Sequence, residues 1–523
     1  MPRVIYKITK IDENEVITLK KRIDIATAII LFLISILVVR LWFLQIHQGT
    51  DYGTLSEKNR IRMQEIAAPR GNILDRKGRN IITNRPCFNI VWVREDAPNP
   101  DEVIKRLAKI LDKDITAILD KIRTAVDLPR HIPVRLEEDI DWKTLVNIEN
   151  RHFELPGIRI EALPTRDYLY KNLASHTIGY LGEVNQKDLS NPELKNYQSG
   201  DQIGKMGIEK LFEEYLRGDK GHRFIEVDVQ GFEQKQLTKE EPLPGNDIQL
   251  TIDIDIQYAA EQAMKDKAGA VVAIEVNTGK ILALTSSPQL NLKHFVGGIS
   301  QKNWNKLLNN HQHPLLNKTI QGQYPPGSTY KIITALAALT EGVVTEETVF
   351  YCSGSLVFGN RRYGCWKRGG HGAVNLHRAL KESCDVYFYQ AGLKLGVDKL
   401  AFYADNLGLG HKTNIRLEHE KAGLVPTSEW KLRKRQEPWQ EGETLSISIG
   451  QGFNLATPLQ ICTMTAAIVN GGVLLKPQFI ESIRDPDGNI IKEFSSKHVT
   501  KKLGSKEHLE MIKNALVAAV NEK

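Results

Sequence analysis

Ser328 and Lys331 stand one helical turn apart in Tyr324-Pro325-Pro326-Gly327-Ser328-Thr329-Tyr330-Lys331, with the apolar run Ile332 to Leu339 directly behind them. A spacing of three puts a hydroxyl and an amine on one helical face. A serine beside an amine kept neutral by burial is an activated nucleophile for acyl transfer. Proline and glycine stop the preceding segment, so a helix is expected to start at or near Ser328. Its unpaired N–H groups and positive end would favour a developing oxyanion. Ser-x-x-Lys is a common tetrad and recurs at Ser428-Glu429-Trp430-Lys431, but without the Pro-Pro-Gly lead or an apolar helix, so that copy reads as chance. Further along, Ser383-Cys384-Asp385 falls between two helical patterns. In an acyl-transfer site a second serine can pass protons between amine and leaving group, while a carboxylate such as Asp385 orients both.

Three of the five cysteines bracket a histidine in Cys352-x12-Cys365-x5-His371-x12-Cys384. Four soft or borderline donors are what a closed tetrahedral zinc site needs. In an oxidising compartment, however, Cys352 and Cys365 could form a disulfide across a glycine-rich hairpin, or the thiols could stay unlinked. Cys87 and Cys462 lie in apolar contexts and read as core residues.

The elements that must position these groups belong to a long chain. Its 523 residues suffice for two or three domains with their own cores. Seventy basic against 63 acidic residues leave a net charge of +7, and no basic and aromatic array suggests nucleic-acid binding. Residues 25–46 form an almost uninterrupted apolar run, broken by Arg40. As a helix it would rise about 33 Å, enough to cross a hydrocarbon core of about 30 Å. Bulky residues rather than a small-x-small cleavage site follow it, which predicts an uncleaved anchor. Lys20-Lys21-Arg22 before the run predicts a cytoplasmic N-terminus, 1–24, and an extracytoplasmic body.

From 51 to 245, short strand-like runs such as Cys87 to Val93 mix with helical patterns at 101–111 and 114–125. The dense Gly/Arg segments Pro69-Arg70-Gly71-Asn72-Ile73-Leu74-Asp75-Arg76-Lys77-Gly78 and Gly204-Lys205-Met206-Gly207-Ile208-Glu209 read as architectural. A breaker-rich linker at 241–247 separates this region from a second one, 246–523. There a strand pair at 270–275 and 280–285 precedes the Ser328 segment, and helical patterns follow at 376–383, 385–395, 457–470 and 507–520.

The order Ser-x-x-Lys then Ser-x-Asp resembles the Ser-x-x-Lys and Ser-x-Asn pair of penicillin-binding proteins. Arg70-Gly71-Asn72-Ile73-Leu74-Asp75-Arg76, Gly207-Ile208-Glu209 and Ser448-Ile449-Gly450-Gln451-Gly452 look like a class B penicillin-binding protein. Phe295-Val296-Gly297-Gly298-Ile299-Ser300 and Cys365-Trp366-Lys367-Arg368-Gly369-Gly370-His371-Gly372 are similar to the elongation-type penicillin-binding protein 2 subgroup, in which aspartate at the position of Asp385 is usual.

The resemblance implies an α+β multidomain protein of the cell inner membrane, with its catalytic part in the periplasm. A single transmembrane helix (25–46) would lead to an elongated, noncatalytic pedestal of dimerisation type (51–245). A beta-lactamase-like transpeptidase domain (246–523), its sheet flanked by helices, would follow. It implies a D,D-transpeptidase that cross-links peptidoglycan stem peptides through an acyl-enzyme on Ser328, with Lys331 as base, Ser383 as proton relay and Asp385 as positioning group. Beta-lactams would acylate the same serine. The implied partners are a SEDS-family glycan polymerase of the RodA type and the rod-complex scaffold. Some members of the subgroup carry structural zinc where Cys352, Cys365, His371 and Cys384 stand, which favours zinc over the disulfide.

The family's third motif, Lys then Thr or Ser then Gly, does not occur in this sequence. His411-Lys412-Thr413-Asn414 fails at the glycine, and Asn277-Thr278-Gly279 lacks the base. The sequence therefore raises the expectation of a chain truncated before that strand. The rival to a working enzyme is then an inactive scaffold that only binds and activates its polymerase. A beta-lactamase-like hydrolase or sensor fits less well, given the large pedestal and the short cytoplasmic stretch.

Overall fold

The structure, a computed structural model, describes residues 13–48, 61–97, 99–124, 133–195, 197–198, 200–227, 233–296, 298–495, 497, 499 and 503–522. Most of the expected cytoplasmic stretch (1–12), the expected start of the pedestal (51–60), the end of the helical pattern at 125, and Gly297 lie outside the described residues.

The chain divides into two compact units. One holds the N-terminal helix Glu13–Trp42, prolonged by a wider turn over Phe43–His47. The most apolar 18-residue window of Lys20–His47 has a mean hydropathy of 2.5, and none of that window is buried. Within it Thr27 and Ser35 return their hydroxyls to the carbonyls of Ile23 and Leu31, at 2.8 Å each. Such internal bonding is needed where no water can partner a hydroxyl. The same unit contains a three-stranded antiparallel sheet, Ile61–Ile66, Gly221–Val227 and Glu233–Glu240.

The second unit is built on a seven-stranded sheet. Its long strand Asn80–Trp92 pairs antiparallel with Ile158–Tyr168 along almost its whole length and with Val134–Glu137 near its end. At its start it pairs with Ile73–Leu74, which runs parallel to Asp247–Leu250. Strands Ile480–Arg484 and Ile490–Glu493 complete the order. The breaker-rich linker thus leads into a strand that ties segments on both sides of residue 246 into one sheet. Helix Pro100–Leu111 buries Val103, Ile104, Leu107 and Ala108, the i, i+1, i+4, i+5 face of an amphipathic helix, against Trp92, Leu136 and Ile158.

The Gly/Arg segments are architectural, as expected. Arg166, with a side chain 2% exposed, bonds fully buried Glu209 at 2.7 Å. Arg70 reaches Glu209 at 2.9 Å and Glu213 at 2.8 Å, and Arg166 also donates to the Gly71 carbonyl at 2.8 Å. Burial alone would raise the Glu209 carboxyl, but Arg166 and Arg70 reverse this and hold it below its ordinary value.

Around the Ser328 segment, the strands Gly269–Ile274 and Ile281–Ser287 form an antiparallel hairpin. Helix Ile254–Ala263 packs on the second strand and Pro458–Val469 on the first. Helix Lys331–Thr340 is buried from Lys331 through Leu339, with Asp385–Leu395, Val397–Asn406 and Lys506–Asn521 packed around it. This all-round burial explains why its residues are apolar on every face.

Replacing Glu209 strips buried Arg166 of its carboxylate and leaves Arg70 with Glu213 alone. Glu209→Ala is expected to cost about 3–5 kcal/mol in denaturant unfolding. Because the folded carboxyl lies below the unfolded one, the Glu209 contribution is complete above the ordinary value of 4.5 and fades as pH falls through the lower folded value. Wild type should lose this contribution on acidification, and Glu209→Ala should lack that part of the slope.

Candidate active site

Ser328 lies in the 3-10 turn Gly327–Tyr330, and the α-helix proper begins at Lys331. The expected helix start is therefore shifted by one tight turn, which leaves Ser328 exposed while Lys331 enters the core at 2% exposure. Lys331 Nζ donates to the Ser383 carbonyl at 2.9 Å, to Ser383 Oγ at 2.9 Å and to Asp385 Oδ1 at 2.6 Å. Ser383 Oγ in turn donates to Ser328 Oγ at 3.0 Å. The four residues singled out in the sequence thus meet in one connected array. The link from nucleophile to amine runs through the Ser383 hydroxyl. Asp385, expected to orient both serine and amine, sits directly against the amine, with Lys331 Nζ and Asp385 Oδ1 in contact at 2.6 Å.

Local backbone explains how Ser383 gets there. Helix Leu376–Lys381 ends, Ser383 takes a left-handed conformation at φ 51°, and Cys384 caps the helix Asp385–Leu395. A left-handed non-glycine residue costs about 1–2 kcal/mol. Hydrogen bonds to a charged group contribute about 1.5–3 kcal/mol each, so the bonds to Lys331 outweigh the strain. Asp385 is fixed on both oxygens, since Oδ2 accepts the Trp366 backbone N–H at 3.0 Å. The Trp366 indole N–H donates to the Glu382 carbonyl at 2.9 Å. Neither Trp366 contact was foreseeable, because each runs through a backbone atom, the Trp366 N–H or the Glu382 carbonyl, that leaves no mark in the residue types.

The turn carrying Ser328 leans on the segment Ser448-Ile449-Gly450. Gly327 N–H donates to the Gly450 carbonyl at 2.8 Å, and Thr334 Oγ1 to the Ser448 carbonyl at 2.8 Å. Gly450 has φ +72°, and a Cβ there would stand 2.2 Å from the Gly327 carbonyl oxygen. The second Ser-x-x-Lys is held otherwise. Ser428 Oγ donates to Asp398 at 2.7 Å and Lys431 bonds Glu443 at 2.8 Å, consistent with an architectural role.

Beside this array, the donor atoms of Cys352, Cys365, His371 and Cys384 all lie within 4.8 Å of one another, and all four residues are buried. Strand Phe350–Cys352 pairs with Gly372–Val374, which sets Cys352 opposite Gly372 and brings His371 alongside. The hairpin Ser355–Phe358 with Arg361–Gly364 returns Cys365 to the same place. His371 Nδ1 is 3.5 Å from the sulfurs of both Cys352 and Cys365. Zinc–sulfur bonds of about 2.3 Å imply tetrahedral donor separations of about 3.8 Å, so the residues fit such an ion. Burial lowers His371 below its ordinary value, keeping its imidazole neutral, as a ligand requires. Burial would raise the Cys352 thiol, but backbone N–H groups of His371 and Gly354 bring it down. Cys384 is pushed up by burial.

A family model described as "Penicillin binding protein transpeptidase domain" matches residues 269–523. A second, "Penicillin-binding Protein dimerisation domain", matches residues 65–250. Among similar proteins, the Peptidoglycan D,D-transpeptidase MrdA of Acinetobacter baumannii is 36% identical over 483 residues, 90% of this chain and 71% of that protein. That of Escherichia coli K12 is 36% identical over 461 residues, 87% of this chain and 72% of its own length. A solved complex between penicillin-binding protein 2 and MreC from Helicobacter pylori superposes with a TM-score of 0.77 at 31% identity, covering 88% of this chain and 85% of that one. A structure described as "Structural coordination of polymerization and crosslinking by a peptidoglycan synthase complex" superposes at 0.69 with 31% identity, covering 95% and 85%.

The close approach at Gly450 makes that residue a sensitive test of the site. Gly450→Ala must move the Ser328 turn and also accept a left-handed alanine at about 1–2 kcal/mol. Covalent labelling of Ser328 by an acylating reagent should slow about tenfold or more, read by the time course of modification.

Proposed function

The chain belongs to the penicillin-binding protein transpeptidases of the MrdA, or penicillin-binding protein 2, type, and from that membership we propose how its own residues cross-link peptidoglycan. The observation that carries the reading is the hydrogen-bonded path from Ser328 Oγ through Ser383 Oγ to Lys331 Nζ. Moving one proton from Lys331 to Asp385 across their 2.6 Å contact yields a neutral amine beside a neutral acid. That amine takes the Ser383 proton as Ser383 takes the one from Ser328. Ser328 Oγ attacks the carbonyl between two D-alanines of a stem peptide, and the C–N bond breaks. The relay returns a proton to the departing D-alanine amine, leaving an ester on Ser328. An amine from a neighbouring stem then attacks the ester, its proton re-enters the relay, and Ser328 is restored. Beta-lactams present a strained amide to the same hydroxyl.

The Cys352, Cys365, His371 and Cys384 cluster is read as a zinc site. Convergence of all four donors favours a shared ion over a bridge between two of the sulfurs. With four protein ligands the ion has no open position for water, and it would supply rigidity rather than chemistry. It would hold Cys384 and, with it, the flanking Ser383 and Asp385. The apolar helix would anchor the chain in the inner membrane with its N-terminus cytoplasmic and the site periplasmic, in line with the basic residues that precede it. Partnership with a scaffold and a SEDS-family polymerase of the rod complex is supported by the likeness to penicillin-binding protein 2 solved with MreC and to a peptidoglycan synthase complex.

Release of D-alanine from a pentapeptide stem in the presence of an acceptor amine tests the assignment. Wild type should release it, Ser328→Ala should not, and Ser383→Ala should be slowed about 10²–10⁴-fold by loss of the relay. Undiminished release by Ser328→Ala would refute the nucleophile assignment.

A further inference from the structure

His371 offers Nδ1 to the sulfurs of the Cys/His cluster, so its tautomer as a ligand carries the proton on Nε2. That nitrogen is buried and has no hydrogen-bond partner among the described residues. A buried N–H without an acceptor costs about 1–3 kcal/mol. The nearest acid is Glu382, whose Oε2 stands 3.9 Å from Nε2. Closing that gap to a hydrogen bond takes a shift of about 1 Å.

Glu382 is held in readiness for this contact. Arg378 Nε donates to its Oε1 at 2.6 Å and Arg378 Nη2 to its Oε2 at 3.4 Å, a two-point contact that fixes the carboxylate beside the cluster. Its backbone is pinned as well, with Glu382 N–H on the Arg378 carbonyl at 2.9 Å and its own carbonyl accepting the Trp366 indole N–H at 2.9 Å. Trp366 follows Cys365 and meets the His371 ring edge-on at 5.5 Å between centroids. Glu382 also immediately precedes Ser383, the residue that bonds both Lys331 and Ser328. One side chain therefore lies between the histidine of the cluster and the backbone that presents the proton relay.

We propose that Glu382 is a positioning residue that accepts a hydrogen bond from His371 Nε2–H when zinc is bound, fixing Nδ1 as the metal donor and tying the metal cluster to the Ser383 backbone. The inference rests on the zinc reading given above. Physically, a carboxylate on the far nitrogen raises the basicity of a ligating imidazole and fixes its ring, and losing such a partner typically weakens metal binding about 10–100-fold.

The test uses the full chain as wild type, Glu382→Ala and Glu382→Gln. Zinc affinity is measured by competition with a chromogenic chelator, and the imidazole N–H signals of the zinc-loaded, ¹⁵N-histidine-labelled proteins are recorded. Wild type should bind one zinc per chain and show a slowly exchanging, downfield His371 Nε2–H. Glu382→Ala should bind about 10–100-fold more weakly and lose that signal. Glu382→Gln, whose carbonyl still accepts the bond, should keep the signal at a shifted position and fall between the two. Equal affinity in all three, or an unchanged Nε2–H signal in Glu382→Ala, would overturn the proposal. If Glu382→Ala fails to fold, a Glu382→Gln protein with the wild-type signal position and affinity would overturn it alone. A folded wild-type chain that takes up no zinc would instead remove the zinc reading, and this inference with it.

Discussion

A lysine side chain held at 2% exposure is the constraint from which the catalytic region follows. A charge taken out of water costs several kcal/mol unless it is paired and hydrogen-bonded. Lys331 meets that demand with a carboxylate, a carbonyl and a hydroxyl, all from the stretch Ser383 to Asp385. Helix Asp385–Leu395 must therefore dock against helix Lys331–Thr340, and Ser383 must adopt its left-handed backbone, for either to be stable. The same bonds leave the Ser383 hydroxyl pointing at Ser328, so the geometry that neutralises a buried charge is also the geometry of a proton relay.

The region expected as a pedestal solves the same problem with different partners. Glu209 is fully buried and is balanced by Arg166 and Arg70. Arg166 then reaches the backbone of Gly71, beside the strand Ile73–Leu74 that pairs with Asp247–Leu250. A buried pair on one side of residue 246 is thus connected through a short strand to the sheet shared by both sides. In both regions the organising contacts are few, charged and enclosed by apolar helices, which leaves little freedom for alternative arrangements.

The sequence exposed the parts of this arrangement that depend on residue type and period. The Pro-Pro-Gly lead and all-apolar run located helix Lys331–Thr340, and the patterns at 385–395 and 457–470 correspond to Asp385–Leu395 and to Pro458–Val469 with its Thr457 cap. The four cysteine and histidine donors were legible as a set because their side chains declare their chemistry. What stayed hidden runs through backbone atoms or through long-range pairing. The Trp366 N–H on Asp385 and the Gly450 carbonyl on Gly327 carry no sequence signature. Pairing of Ile73–Leu74 with Asp247–Leu250 crosses a linker that composition alone marks as a boundary. The direct contact between Lys331 and Asp385 is hidden for a related reason. Asp385 was placed near the lysine as an orienting group, but only the fold shows the two in a 2.6 Å contact.

The central claim is that Lys331, held by Asp385 and Ser383, drives the chemistry at Ser328. It is tested most directly by the rate of Ser328 acylation by a fluorescent penicillin in Lys331→Met, a replacement that keeps the side chain's length and apolar packing. The account predicts a folded protein whose acylation is slowed about 10²–10⁴-fold. Acylation within about threefold of wild type would contradict it, since the serine would then be activated without the buried amine.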